Sequence, residues 1–339
     1  MDVTCLHDQG VFDVYLGLTA SGYELASPSR AQAVTEAILA GDWDPSALEY
    51  FRRARIDDGR VNPYWPRGSI LAAVSLLASR QGLATDATSV RNYLSRLPNV
   101  PPTEQDDGTV QWTAALPEQF SSLRAASQYE NSLLRYREAA RLEAEKHWSV
   151  YREQVDVAGH VLRALLPASA HPCSVCTILN PLQADQLTDV VTTKESVYIV
   201  TSHLRAESCV HEMVHVCADP LLRDWMPRIL EHADLLDATY EPMVRMRYAW
   251  DRSASSWANV FSETLVRVLT AWALYHRTRE VLIQQIEATT REGFLYAAPV
   301  FERLNAIAEG QPMPEHWLQG CLSACHDAVS TGGSVQSHR

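Results

Sequence analysis

The sequence predicts an α+β chain, predominantly α, whose small β-sheet lies immediately ahead of one chemically marked helix. Three observations carry that expectation. From Pro117 to Leu166 apolar residues recur three or four positions apart with few breakers, the spacing of helices with one buried face. Two runs rich in β-branched and aromatic residues, Val175 to Leu182 and Ser196 to Leu204, read as strands. No internal repeat is present, and a hydrophobic content of 46% supplies a core for one large domain or two ordinary ones.

In chain order, the spacing predicts helices over Ser29 to Ala40 and Pro45 to Arg53, the second with Asp44 as cap and proline at its first turn. Gly68 to Arg80 (GSILAAVSLLASR) is apolar enough for a buried helix. Pro98 to Gly108 (PNVPPTEQDDG) concentrates prolines, acids and a glycine, the composition of a linker. The expected division is an N-terminal helical region over 1–97, a linker over 98–112, a main domain over 113–330 and a frayed tail over 331–339. Pro117 to Leu166 reads as one long helix or two broken near Gly159. Between the two strands, QADQLTDVVTTKE is a loop or a weak extra strand. Helices follow over Glu207 to Ala218, Leu221 to Leu236, Tyr240 to Trp250 and Ser256 to about Arg291, then two shorter ones. Asp219-Pro220 is expected to end the first of these.

Composition excludes several classes. A net charge of −12 argues against nucleic acid, whose phosphates require a basic surface; the Arg/Glu-rich face from Arg135 to Arg152 is read as solvated helix. The first basic residue is Arg30, after Asp2, Asp8, Asp13 and Glu24, so the pattern of a secretory signal is missing. The longest apolar run, Leu71 to Ala78, is too short to span a bilayer. Seven cysteines do not suggest a disulfide framework. A cytoplasmic protein with reduced thiols and no membrane partner is expected. Lys146 and Lys194 are the only lysines, which with abundant alanine suggests a GC-rich bacterial genome.

The chemistry concentrates in His211-Glu212-Met213-Val214-His215, an HExxH motif. Histidines four apart on a helix project from one face, close enough to bind one metal ion. Glu212 is offset by one residue, placed to act on a bound water rather than to ligate. Zinc lowers the pKa of such a water to about 7, and the carboxylate then takes its proton as general base. With 12 histidines in the chain, coincidence places only about 0.03 such matches here. Val210, Val214 and Cys217 form an apolar face that buries this helix.

A hydrolytic zinc site needs a third protein ligand and an open position. The metzincin spacing is excluded, because Ala218 and Leu221 stand where it needs glycine and histidine. His232, Glu231, Asp234, Glu241 and Glu263 are the candidates. Glu263 is favoured by context: VFSETLVRVL surrounds it with Val260, Phe261, Leu265 and Val266, and a carboxylate on so apolar a helix needs a partner. The competing partner is Arg267 at i+4, an ion pair compatible with ligation.

A strand, an HExxH helix and a glutamate on a later helix together resemble the gluzincin group of zinc metallopeptidases. More closely, HEMVH followed by SETLVRVL is similar to bacterial HExxH proteins grouped as a domain of unknown function, with a later E-x-x-x-R motif. The resemblance spans roughly Cys173 to Leu274 and implies a zincin-like catalytic domain. It implies zinc held by His211, His215 and Glu263, with Glu212 as base and a peptide or protein as substrate. Thermolysin-like enzymes carry an aspartate four residues after the ligand glutamate; here Arg267 stands there. Another acceptor must orient a ligand histidine, and Asp219 is the choice.

For the oxyanion of the tetrahedral intermediate, Tyr248 in MVRMRYAW leads, followed by Tyr240, His203 and Arg267. Ser196 to Leu204 either offers an edge to an extended peptide or is a fully paired interior strand. Cys173 and Cys176, with Cys321, Cys325 and His326, form a weak second zinc pattern, against simple buried thiols. The reading is a zinc metallopeptidase. The alternatives are a helical interaction or regulatory protein with a structural or inactive metal site, and a hydrolase of non-peptide amides. The N-terminal helical region is a possible surface for a protein partner.

Overall fold

A computed structural model describes residues 2–23, 28–57, 64, 66–96, 104–166, 174–185, 187–193, 196–306 and 316–330. It is predominantly helical around one four-stranded mixed sheet. The chain opens with β1 (Asp2–Leu6), then α1 (Gln9–Ala20), α2 (Pro28–Leu39), α3 (Pro45–Arg52) and α4 (Arg67–Gln81). Next come α5 (Ala87–Leu94), α6 (Asp107–Ala114), α7 (Leu116–Ala125) and α8 (Leu134–Leu165). The other strands are β2 (Ser174–Leu179), β3 (Asp189–Thr192) and β4 (Ser196–Thr201). The remaining helices are α9 (Ala206–Leu230), α10 (Tyr240–Arg245), α11 (Ala254–Tyr275), α12 (Arg279–Glu292), α13 (Ala297–Asn305) and α14 (Trp317–Ser330).

The strand order is β1-β2-β4-β3, with β1, β2 and β4 parallel and β3 antiparallel on the edge. Helices cover both faces, so the strands carry continuous apolar runs instead of an alternating pattern. In β4, Val197 and Ile199 pack with α8, α9 and α11, while Tyr198 and Val200 join the core of the N-terminal helices. Because β1 pairs with β2 from Asp2↔Ser174 to Leu6↔Ile178, the sheet unites residues on the two sides of the expected linker. Part of that linker is structured: α6 occupies it, and buried Glu104 pairs with Arg67 at 2.6 Å. The expected tail lies outside the described residues.

Several expectations need correction. Neither β1 nor α1 was signalled. β1 is only five residues, and α1 (QGVFDVYLGLTA) is buried on every side from Gly10 to Ala20, which erases amphipathic spacing. Gly17 permits that burial, since a Cβ there would lie 2.3 Å from the Phe51 ring. The helix expected over Pro117 to Leu166 breaks near Ala126, not Gly159. The break brings Arg124 and Tyr129 onto the buried carboxylate of Asp13, at 2.8 and 2.5 Å. Asp219-Pro220 does not end a helix: α9 runs through Pro220 and Pro227. Both prolines are exposed, leaving water free to satisfy the carbonyls they cannot serve. The helix expected from Ser256 to about Arg291 is two, α11 and α12, separated at the polar run His276-Arg277-Thr278. β4 is interior, so the available edge on this side is β3, the weak strand of the sequence reading. Among the described residues no helix is long and apolar enough to cross a membrane.

Candidate metal centre

The site forms where α9 packs against α11. α9 buries Cys209, Val210, Met213, Val214 and Cys217, which fixes its rotation and turns His211 and His215 toward α11. Their rings lie 4.9 Å apart between centroids. On α11, all of Val260, Phe261, Leu265 and Val266 are buried, and Glu263 among them is 7% exposed. Its carboxylate meets both imidazoles: His211 Nε2 lies 3.5 Å from Oε1 and His215 Nε2 lies 3.4 Å from Oε2.

Supporting contacts hold these three groups. His215 Nδ1 donates to Asp219 Oδ1 at 3.2 Å, which orients the ring and directs Nε2 into the centre. Arg267 Nε donates to Glu263 Oε1 at 3.0 Å; its other nitrogens reach the Tyr248 hydroxyl at 3.0 Å and Glu292 at 3.1 Å. The guanidinium also lies 4.4 Å over the Phe294 ring. Arg267 is therefore both the ion-pair partner expected at i+4 and a brace that fixes which way the carboxylate faces. Tyr248 is delivered by a tight turn after α10, in which Arg247 takes the left-handed conformation at φ 65° and Tyr248 N–H bonds to Met243 O at 2.9 Å.

Electrostatics follow from burial and these contacts. Burial pushes the His211 pKa down to about 4 against the attraction of Glu263, so its imidazole is neutral. Burial also acts against charge on His215, but Asp219 and Glu263 overcome it and hold its pKa well above the usual histidine range. Glu263 is likewise opposed by burial, yet the histidines and Arg267 keep it ionised, well below the usual carboxylate range. Glu212 has no such cationic brace. Burial raises its pKa to about 7, reinforced by Glu263, Asp189 and Asp219 and opposed by His215.

His211, His215 and Glu263 form the one group of three or more His, Cys, Asp or Glu among the described residues whose ligand atoms lie within 4.8 Å of one another. Two imidazoles and one carboxylate suit a divalent transition metal. Of the other residues singled out from sequence, Asp219, Arg267 and Tyr248 join this group; Asp189 on the edge strand β3, which the sequence did not mark, contributes to the field at Glu212. No family profile, characterised protein or solved structure matches the chain.

His203 lies elsewhere, against Asp185 and Ser202 after β4. Tyr240 lies beneath Arg252, which also approaches Glu241 at 3.9 Å. His232 is bonded to His326 at 2.7 Å, and neither Glu231 nor Asp234 enters the group. The second zinc pattern is not assembled among the described residues: Cys176 packs on the N-terminal face of the sheet, while Cys321 and Cys325 lie in the opposite core. Cys173 is outside the described residues. Sequence reasoning missed Glu292 and Phe294, which brace Arg267 from beyond α11 and carry no local signal.

Proposed function

We propose that the protein is a zinc-dependent metallopeptidase of gluzincin type, with His211, His215 and Glu263 as the metal ligands. The observation that supports this most directly is the approach of both Nε2 atoms to the two oxygens of one buried glutamate. When bound there, zinc supplies a water of lowered pKa and polarises a carbonyl. Glu212 accepts the proton at its carboxylate and returns it to the leaving amine, a task suited to a pKa near neutrality. Tyr248, whose hydroxyl accepts from Arg267 and is hydrogen-bonded to Glu263, would turn its O–H from that carboxylate to the developing oxyanion. Asp219 holds the His215 ring, and Arg267 holds Glu263. The outer edge of β3, whose Asp189 acts electrostatically on Glu212, offers an extended peptide a strand to pair with.

The test pairs zinc content with cleavage of a peptide library. Glu212→Gln is expected to retain one zinc per chain and to lose at least about 10²-fold in turnover, whereas Glu263→Ala is expected to lose the zinc. Wild-type protein purified without chelators and lacking stoichiometric zinc would overturn the reading. Zinc retained with no cleavage dependent on Glu212 would favour a structural metal in an interaction protein.

A further inference from the structure

A second site lies away from the metal centre. A cavity of about 650 Å³ opens beyond the carboxyl ends of the parallel strands β2 and β4, between α8 and the start of α9. Its lining includes none of the three proposed ligands. Its size falls in the roughly 300–1,000 Å³ range of small-molecule sites, and the ends of parallel strands are where open α/β sheets receive ligands. Ala140 and Ala144, one turn apart on α8, leave the space open.

The charges around it are divided. At the mouth, Arg205 is exposed and has no ion-pair partner among the described residues. It is also the N-cap of α9, a 25-residue helix without a side-chain cap bond, so the helix end adds its own preference for an anion. The lining also carries acceptors. Asp185 belongs to it and accepts from Ser202 Oγ at 2.9 Å. Gln183, 2% exposed, donates through Nε2 to Asp189 at 3.0 Å, while its Oε1 is buried with no hydrogen-bond partner among the described residues. A buried acceptor of this kind can receive a donor from a bound molecule. A simple anion would meet Asp185 and that carbonyl unfavourably, and a simple cation would meet Arg205.

We infer that this cavity binds a small zwitterion, a free amino acid or short peptide. Its carboxylate lies against Arg205 and the first turn of α9, and its ammonium donates toward Asp185 and Gln183 Oε1. Leu179, Leu204 and the two alanines accommodate a short aliphatic side chain. The site stands whether or not the metal centre hydrolyses peptides.

The test is calorimetric titration of full-length Glu212→Gln protein, chosen to prevent turnover, with alanine, Ala-Ala, Ala-Leu, N-acetyl-Ala-Ala-amide and inorganic phosphate. At least one zwitterionic probe is expected to bind at one per chain, with the blocked peptide and phosphate at least about tenfold weaker. Adding Arg205→Met should weaken that probe by at least about tenfold. Ala144→Trp should abolish its binding with helix content unchanged, while His211→Ala should leave it intact. The inference is overturned if no zwitterionic probe binds up to about 10 mM, or if phosphate or the blocked peptide binds equally well. It is also overturned if His211→Ala removes binding while Arg205→Met does not, which would place the probe in the metal centre.

Discussion

His215 carries its proton between two carboxylates, and that proton competes directly with a metal ion. Burial opposes its charge, but Asp219 and Glu263 hold its pKa near 10, so at neutral pH a cation must displace the proton. His211, near 4, is already neutral, and Glu212, near 7, is about half ionised until a nearby cation lowers its pKa. Zinc uptake at pH 7 is therefore expected to release between about one and two protons, with affinity rising about tenfold per pH unit from 7 to 9. Titration in buffers of different ionisation enthalpy reads this directly; zero release would contradict the assignment of His215. Tyr248→Phe is expected to keep the metal and lower turnover by about 10²-fold, with KM little changed. The HExxH spacing and the apolar setting of Glu263 made the donor residues legible in the sequence. The orientation of Glu263 was not, because Glu292 reaches Arg267 across a helix boundary that the sequence pattern did not mark.

At the scale of elements, the turn from α10 toward α11 decides where Tyr248 stands. Arg247 occupies a left-handed conformation that costs a non-glycine residue about 1–2 kcal/mol. Arg247→Gly is therefore expected to leave thermal stability unchanged or raise it by up to about 1 kcal/mol, whereas Arg247→Val should lower it by about 1–2 kcal/mol. Chemical denaturation distinguishes the two, and equal effects would show that the conformation is not under strain. A second constraint lies at Gly293, where φ is 120° and an added Cβ would approach Pro242 Cβ to 2.5 Å. That close approach sets Phe294 under Arg267. Helices with one buried face, such as α3 and its Asp44 cap, were readable from spacing. The uniformly buried α1 and the proline-containing α9 were not, since packing overrides local propensity in both.

Across the whole molecule, the N-terminal helices form one outer layer of a three-layer structure, and hydrogen bonds tie β3 to that layer. Asp189 at the start of β3 accepts hydrogen bonds from Tyr15 and from Ser69 at 2.5 Å, both in the N-terminal layer. The strand whose Asp189 acts electrostatically on Glu212 is thus held by residues of the N-terminal layer. Composition identified a chain with a sizeable core, but it did not reveal this shared sheet, because pairing between strands distant in sequence leaves no local periodicity. Val3 is buried between the sheet and its C-terminal helices, so Val3→Asp is expected to destabilise the whole fold by at least about 3 kcal/mol. A small, local loss of signal in hydrogen exchange would instead mean that β1 is dispensable.

The same strand sets a timetable. β1 is made long before β2, its only strand neighbour among the described residues, and nearly half the chain separates them. A nascent chain cannot close this sheet until β2 has emerged from the ribosome, and closing so long a loop is entropically slow. During that interval the bare edge of β1 is open to wrong partners, which exposes this strand to misassembly during synthesis.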